Sequence, residues 1–161
     1  MVSGTATSED FSEVEARRIW NALVKDSHNL LPKIFPDFFS SATVLQGDGG
    51  VGTIKETNFT PANKEFSYAK ERIDEIDEEK MVIKYTTIEG GLLGKKLSAS
   101  NFELKIVPKK EGGCVVSWIC NYETLSGAPF DEGKAQEMKE QSNHMFKKIE
   151  QYLLSNSSLY C

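Results

Sequence analysis

Hydrophobic and polar positions divide the chain into three regimes. Ala16, Ile19, Trp20 and Leu23 fall at i, i+3, i+4 and i+7, and Ser12 followed by Glu15 has the form of a capping box. This spacing predicts an amphipathic helix running to about Lys25. A second short helix is predicted over residues 31–35, with Pro32 in its first turn and Pro36 at its end. From Ala42 to Tyr122 the period shortens to two. Met81, Ile83, Tyr85 and Thr87 share one face; Phe102, Leu104 and Ile106 oppose Asn101, Glu103 and Lys105. Val116, Trp118, Cys120 and Tyr122 likewise oppose Val115, Ser117, Ile119 and Asn121. Such alternation, broken by Gly, Asp and Asn turns, predicts an antiparallel meander with one apolar and one wet face. Beyond Pro129 the helical period returns, with Met138, Ser142, Met145, Ile149 and Tyr152 recurring every three or four residues to about Leu154. A helix of about 24 residues would be roughly 36 Å long, enough to cross the whole sheet.

A curved sheet wrapped around one long helix leaves room between them, and Met and Phe side chains suit an adaptable lining. The same stripe is also what a solid core would need. With 161 residues, the chain is read as one domain, 1–161, large enough to bury a core without metal or disulfide staples. Its net charge of −5 argues against nucleic acid or an anionic membrane as partner, because both require a basic face. No apolar run approaches a membrane span, and the first ten residues lack the parts of a signal peptide, which points to the cytoplasm. Cys114, Cys120 and Cys161 are odd in number and have no CxxC partner. They are read as two small strand residues and a tail thiol, with no metal site and no cofactor expected.

Gln46-Gly47-Asp48-Gly49-Gly50-Val51-Gly52-Thr53-Ile54-Lys55 has the look of a phosphate-binding loop but the wrong spacing. A Walker loop places Lys and then Ser/Thr directly after its last glycine, whereas Lys55 comes two positions late; the glycines run G-x-G-G-x-G rather than G-x-G-x-x-G. The Thr-rich segment that follows reads as a strand, and so does Ser41-Ala42-Thr43-Val44-Leu45 before it. No helix N-terminus is available to hold a phosphate, so Gly47, Gly49, Gly50 and Gly52 are assigned to a tight strand-to-strand turn that needs positive φ.

In this order of elements, the segment Gly47 to Lys55 resembles the glycine-rich loop of the major birch-pollen-allergen family, the plant pathogenesis-related proteins of class ten. Asn29-Leu30-Leu31-Pro32-Lys33, Arg72-Ile73-Asp74-Glu75-Ile76-Asp77, Ile88-Glu89-Gly90-Gly91 and Tyr152-Leu153-Leu154 stand where that family carries its other signatures. The resemblance implies an α+β helix-grip fold: a seven-stranded curved antiparallel sheet wrapped around a long C-terminal helix, with two short helices in a V at one end. It also implies a first strand at about Val2 to Phe11, a segment short of alternating apolar residues. Members bind amphipathic plant molecules such as flavonoids, cytokinins, steroids and fatty acids in an internal cavity. Some relatives are enzymes that cyclise or condense alkaloid precursors, and others sense abscisic acid.

Applied to the strand faces and the helix stripe, the resemblance nominates Phe59, Phe66, Tyr68, Ile83, Tyr85, Phe102, Leu104, Val116, Trp118, Tyr122, Gln141 and Met145 as cavity lining. Lys55 shares strand parity with Thr57 and Phe59 and so points inward, while Glu71 matches a family position that reaches ligand. Leu92 and Leu93, flanked by Gly91 and Gly94, form a candidate gate loop over the cavity mouth, its rim kept wet by Lys95 and Lys96. An abscisic-acid receptor would carry a Ser-Gly-Leu-Pro gate here, and it does not. The reading is a monomeric, cytosolic carrier of a hydrophobic small molecule in defence and stress physiology. The alternative is a cavity enzyme using proton transfer, for which Lys55, Tyr85 and Tyr122 are the candidate groups. Ribonuclease chemistry comes third: the residues invoked for it correspond to Lys55, Ser98 and Glu150, and a serine cannot act as general acid or base near neutral pH. His28 and His144 are read as lone surface histidines.

Overall fold

The computed structural model describes residues 2–127 and 131–161. Pro129, beyond which the sequence returns to the helical period, lies outside them. The polar segment Ser3–Ser12 forms strand β1, pairing antiparallel with β7 (Cys114–Thr124) from Ser3↔Glu123 to Ser12↔Cys114. Its inward positions are Gly4, Ala6, Ser8, Asp10 and Ser12, too small or polar to show an apolar alternation. The pairing, not intrinsic propensity, makes it a strand. The Tyr122 ring fills the space over Gly4, so that a Cβ there would lie 2.5 Å from the ring.

Helix α1 (Ala16–Trp20) follows, but the expected capping box does not form. Ser12 still belongs to β1, its Oγ accepting from the Val14 amide, and Glu15 occupies the N-cap position without a side-chain cap. α1 runs into a π-helical turn at Asn21–Lys25, and α2 (Ser27–Ile34) begins earlier than the prolines suggest, leaving Pro32 inside it. Strands β2 (Phe39–Gln46), β3 (Ile54–Phe59), β4 (Tyr68–Asp77), β5 (Val82–Gly90) and β6 (Leu97–Pro108) complete a seven-stranded antiparallel sheet of order β1-β7-β6-β5-β4-β3-β2. Met81, placed by alternation on β5, instead sits in the preceding turn at φ 55°, buried, with its carbonyl accepting from the Ile106 amide. Bulges near Ser41, Gln46, Glu71, Glu75 and Ala99 bend the strands and give the sheet its concavity.

The long helix α3 (Glu132–Ser155) is capped by Asp131, which accepts from the Gly133 amide at 2.9 Å. Phe146, Ile149 and Leu153 bury its C-terminal half against Ile19, Trp20, Ile106 and Val116. Its N-terminal half makes no comparable seal, with Met138 40% exposed. The apolar stripe is therefore a core at one end of α3 and a cavity wall at the other.

The glycine loop is the predicted turn. Gly47, Gly49 and Gly52 have φ of 92°, 101° and 89°, while Gly50 stays outside the left-handed region. The Gly49 amide donates to Thr53 Oγ1, that of Gly50 to Asp48 Oδ1, and that of Gly52 to the Ile73 carbonyl. With these amides committed within the fold, the loop offers no anion cradle.

Candidate ligand-binding site

Among the described residues, three adjoining lobes lie between the concave sheet, the helix pair and α3. The deep lobe, about 180 Å³, is walled by the α1–α2 region and strands β2 to β6. Lys55 and Glu71, directly paired across β3 and β4, project into it beside Tyr85, Ile83 and Leu104. Lys55 Nζ donates to the Val24 carbonyl at 3.3 Å. Burial lowers its pKa, and the negative charges of Asp26 and Glu71 oppose that shift. Burial pushes the Glu71 carboxyl up to about 7 against the pull of Lys55. The hydroxyl of Tyr85 is pushed upward too, first by burial and then by Glu71. Glu71 therefore does not share the solvated character of the acidic stretch Asp74 to Glu79 further along the hairpin.

His28 also lines this lobe, with a buried Nδ1 that has no hydrogen-bond partner among the described residues. The sequence reading of a surface histidine is thus corrected. α2 begins before His28 and turns it inward, which the late placement of that helix hid. His144 is exposed as expected.

The main lobe, about 610 Å³, shares Leu23, Leu31, Tyr85 and Leu104 with the deep one. Phe59, Phe66, Val116, Trp118, Gln141 and Met145 line it as anticipated. Phe38 and Phe39, where the chain leaves the helix pair for β2, were missed; they interlock edge-on at 5.1 Å, and Phe38 meets Phe59 at 5.4 Å. A third lobe of about 580 Å³ is walled by Cys120, Tyr122 and the first turns of α3 and shares Leu92, Trp118 and Met138 with the main lobe. Burial raises the Cys120 thiol to about 11, far from a reactive thiolate.

Several expected site residues are elsewhere. Tyr68 has the outward parity of Lys70 on β4; its hydroxyl meets Glu89, whose carboxylate lies 3.1 Å from Lys70 Nζ on the outer face. Phe102 does face inward, but it stacks on Tyr85 at 5.0 Å and leans on Trp118 at 5.6 Å, holding those rings rather than lining a lobe. Of the gate pair, only Leu92 lines the lobes; Leu93 bridges to Leu97. Lys95 and Lys96 are exposed, as a wet rim requires, and both are engaged: Lys95 Nζ donates to the Glu65 carbonyl at 2.7 Å and Lys96 pairs with the Glu65 carboxylate at 3.3 Å. The loop is tied to residues 62–66 at the cavity mouth. Glu150 lies outside the lobes, 3.5 Å from Lys147 in a groove with Phe11 and Lys109, and exposed Ser98 bonds to the Glu123 carbonyl. Lys55, Ser98 and Glu150 therefore share no site.

Residues 1–156 match the model of the pathogenesis-related protein Bet v 1 family. The chain belongs to that family. Pathogenesis-related protein 1 of Asparagus officinalis is 41% identical over 160 residues, covering 99% of each chain. Among solved Bet v 1-like structures, Ara h 8.0201 superposes with a TM-score of 0.82 at 30% identity, covering 96% of this chain and 99% of its own. Norcoclaurine synthase from Thalictrum flavum, in complex with dopamine and hydroxybenzaldehyde, aligns at TM-score 0.70 and 26% identity, over 96% and 88% of the two chains. Among the described residues no cluster of His, Cys, Asp or Glu could hold a metal ion, and no helix is long and apolar enough to cross a membrane.

Proposed function

We propose that this Bet v 1 family protein is a monomeric cytosolic carrier of a hydrophobic or amphipathic small molecule, such as a flavonoid, cytokinin or steroid, in defence and stress physiology. The observation that carries the reading is the main lobe, a space of about 610 Å³ with predominantly apolar and aromatic walls, adjoining a small lobe where Lys55, Glu71 and His28 converge. Aromatic walls supply buried area and offset stacking to a planar ligand, and a few convergent polar groups fix its orientation. Mass spectrometry of small molecules retained by the native protein, with displacement of an environment-sensitive dye, tests the proposal. One displaceable equivalent per chain, weakened by Met145→Trp, is expected; no retained ligand and no dye binding would refute it.

A second reading, proton-transfer catalysis in the deep lobe, is favoured by one feature. A carboxyl that titrates near 7 opposite an amine is suited to general acid–base work at neutral pH. Of the proposed catalytic groups, Lys55 and Tyr85 share this lobe, whereas Tyr122 lines the third one and Glu150 neither. Deuterium exchange from solvent into an acidic C–H of the retained ligand, lost in Glu71→Gln, would establish turnover. Absence of exchange leaves the carrier.

A further inference from the structure

Strand β1 contributes a charged side chain to the main lobe. Ser8 and Asp10, on the inward parity of β1, line the main lobe where that strand faces α3, and Ser142 and Gln141 line it from the helix. Among the described residues, Asp10 makes no hydrogen bond and no ion pair. The nearest influential cation, Lys147, is engaged at 3.5 Å by Glu150 and is 58% exposed. Burial raises the Asp10 pKa, Lys147 opposes the rise and Glu150 reinforces it. Asp10 is thus a carboxylate partly removed from water and lining a largely apolar and aromatic lobe, with no hydrogen-bond or ion-pair partner among the described residues.

Ser8 is paired directly with Trp118 and Asp10 with Val116, so Trp118 is the diagonal neighbour of Asp10 on the same face. Diagonal neighbours across an antiparallel pair stand about 7–8 Å apart at their Cα atoms, within reach of one ligand. A ring packed on the indole and a short alkyl spacer would carry a charged nitrogen to the carboxylate.

We propose that Asp10 and Trp118 form a subsite of the main lobe that takes the ammonium group of an arylalkylamine, making this cavity selective for amphipathic ligands that carry a basic nitrogen. The proposal rests on the cavity reading and gives it a substrate class. It is distinct from the deep lobe, where Lys55 already faces Glu71.

The test compares tryptamine with its neutral isostere 3-propylindole at pH 7.5 by calorimetry, with amide chemical shifts to locate each. Tryptamine is expected to bind the wild type at least tenfold more tightly, perturbing the amides of Ser8 and Trp118. Asp10→Asn should bring the two affinities within about twofold by weakening tryptamine, whereas Asp10→Glu should retain a preference of the same sign. Circular dichroism establishes that both variants fold. Equal affinities in the wild type, or an amine preference that survives in Asp10→Asn, would overturn the proposal while leaving the cavity reading intact. Loss of the preference in Glu71→Gln but not in Asp10→Asn would place the ammonium in the deep lobe and also overturn it. Failure of both compounds to bind overturns this subsite, while the cavity reading stands or falls separately on retained ligand and dye binding.

Discussion

Replacing Glu71 by Gln should stabilise the protein at alkaline pH and leave it nearly unchanged in acid. Glu71 stands opposite Lys55 and lines the deep lobe, and burial moves its pKa from 4.5 to about 7. The folded-state pKa is raised, so the native protein holds this proton more tightly than the unfolded chain does. Below pH 4.5 both states are protonated and Glu71 contributes nothing. As pH rises towards 7 the unfolded chain ionises first and stability falls; above 7 the full cost stands. At 1.36 kcal/mol per pH unit, the interval from 4.5 to about 7 amounts to about 3 kcal/mol, a ceiling that water entering the lobe would reduce. Gln keeps the shape and removes the ionisation. Urea unfolding of both proteins at half-unit steps from pH 4.5 to 8.5 measures the difference. The wild type should lose about 2–3 kcal/mol relative to Glu71→Gln across that range, most of it between pH 5 and 7. Curves that run parallel within about 0.5 kcal/mol would show that Glu71 ionises as freely when folded as when unfolded, and the desolvated deep lobe would be wrong.

Three further outcomes follow from local geometry. Gly47→Ala should cost about 2 kcal/mol or more in urea unfolding, because its φ is 92° and a Cβ would lie 2.5 Å from Thr53 Oγ1 and 2.7 Å from its Cα. Gly49→Ala, at φ 101° but facing open space, should cost only about 1 kcal/mol. In stopped-flow dye binding, Leu92→Ser should speed association and dissociation together while Leu93→Ser leaves both unchanged, since Leu92 alone of the pair walls the lobes. Equal effects from the two would restore a gate made of both.

The sequence by itself determined the register of most inward positions. Strict alternation at Ile83-Tyr85, Phe102-Leu104-Ile106 and Val116-Trp118-Cys120 allows only one face to be buried, since a one-residue slip would expose the whole set. The spacing of the glycines and the late Lys55 likewise excluded a phosphate loop, because that chemistry depends on local geometry within a few residues. β1 was a different case. Its Gly, Ser and Thr carry no periodic signal, and its existence depends on β7 offering ten partners more than a hundred residues away. Tyr68 went astray because its neighbourhood is turn-rich and its parity is set by pairing with β3 and β5. Asp10 and His28 could not be read as cavity groups, since burial of a polar side chain is a property of what surrounds it. The same holds for α3. Its stripe looks uniform from Met138 to Tyr152, and only the curvature of the sheet decides that one half closes on a core while the other stands away to leave a cavity.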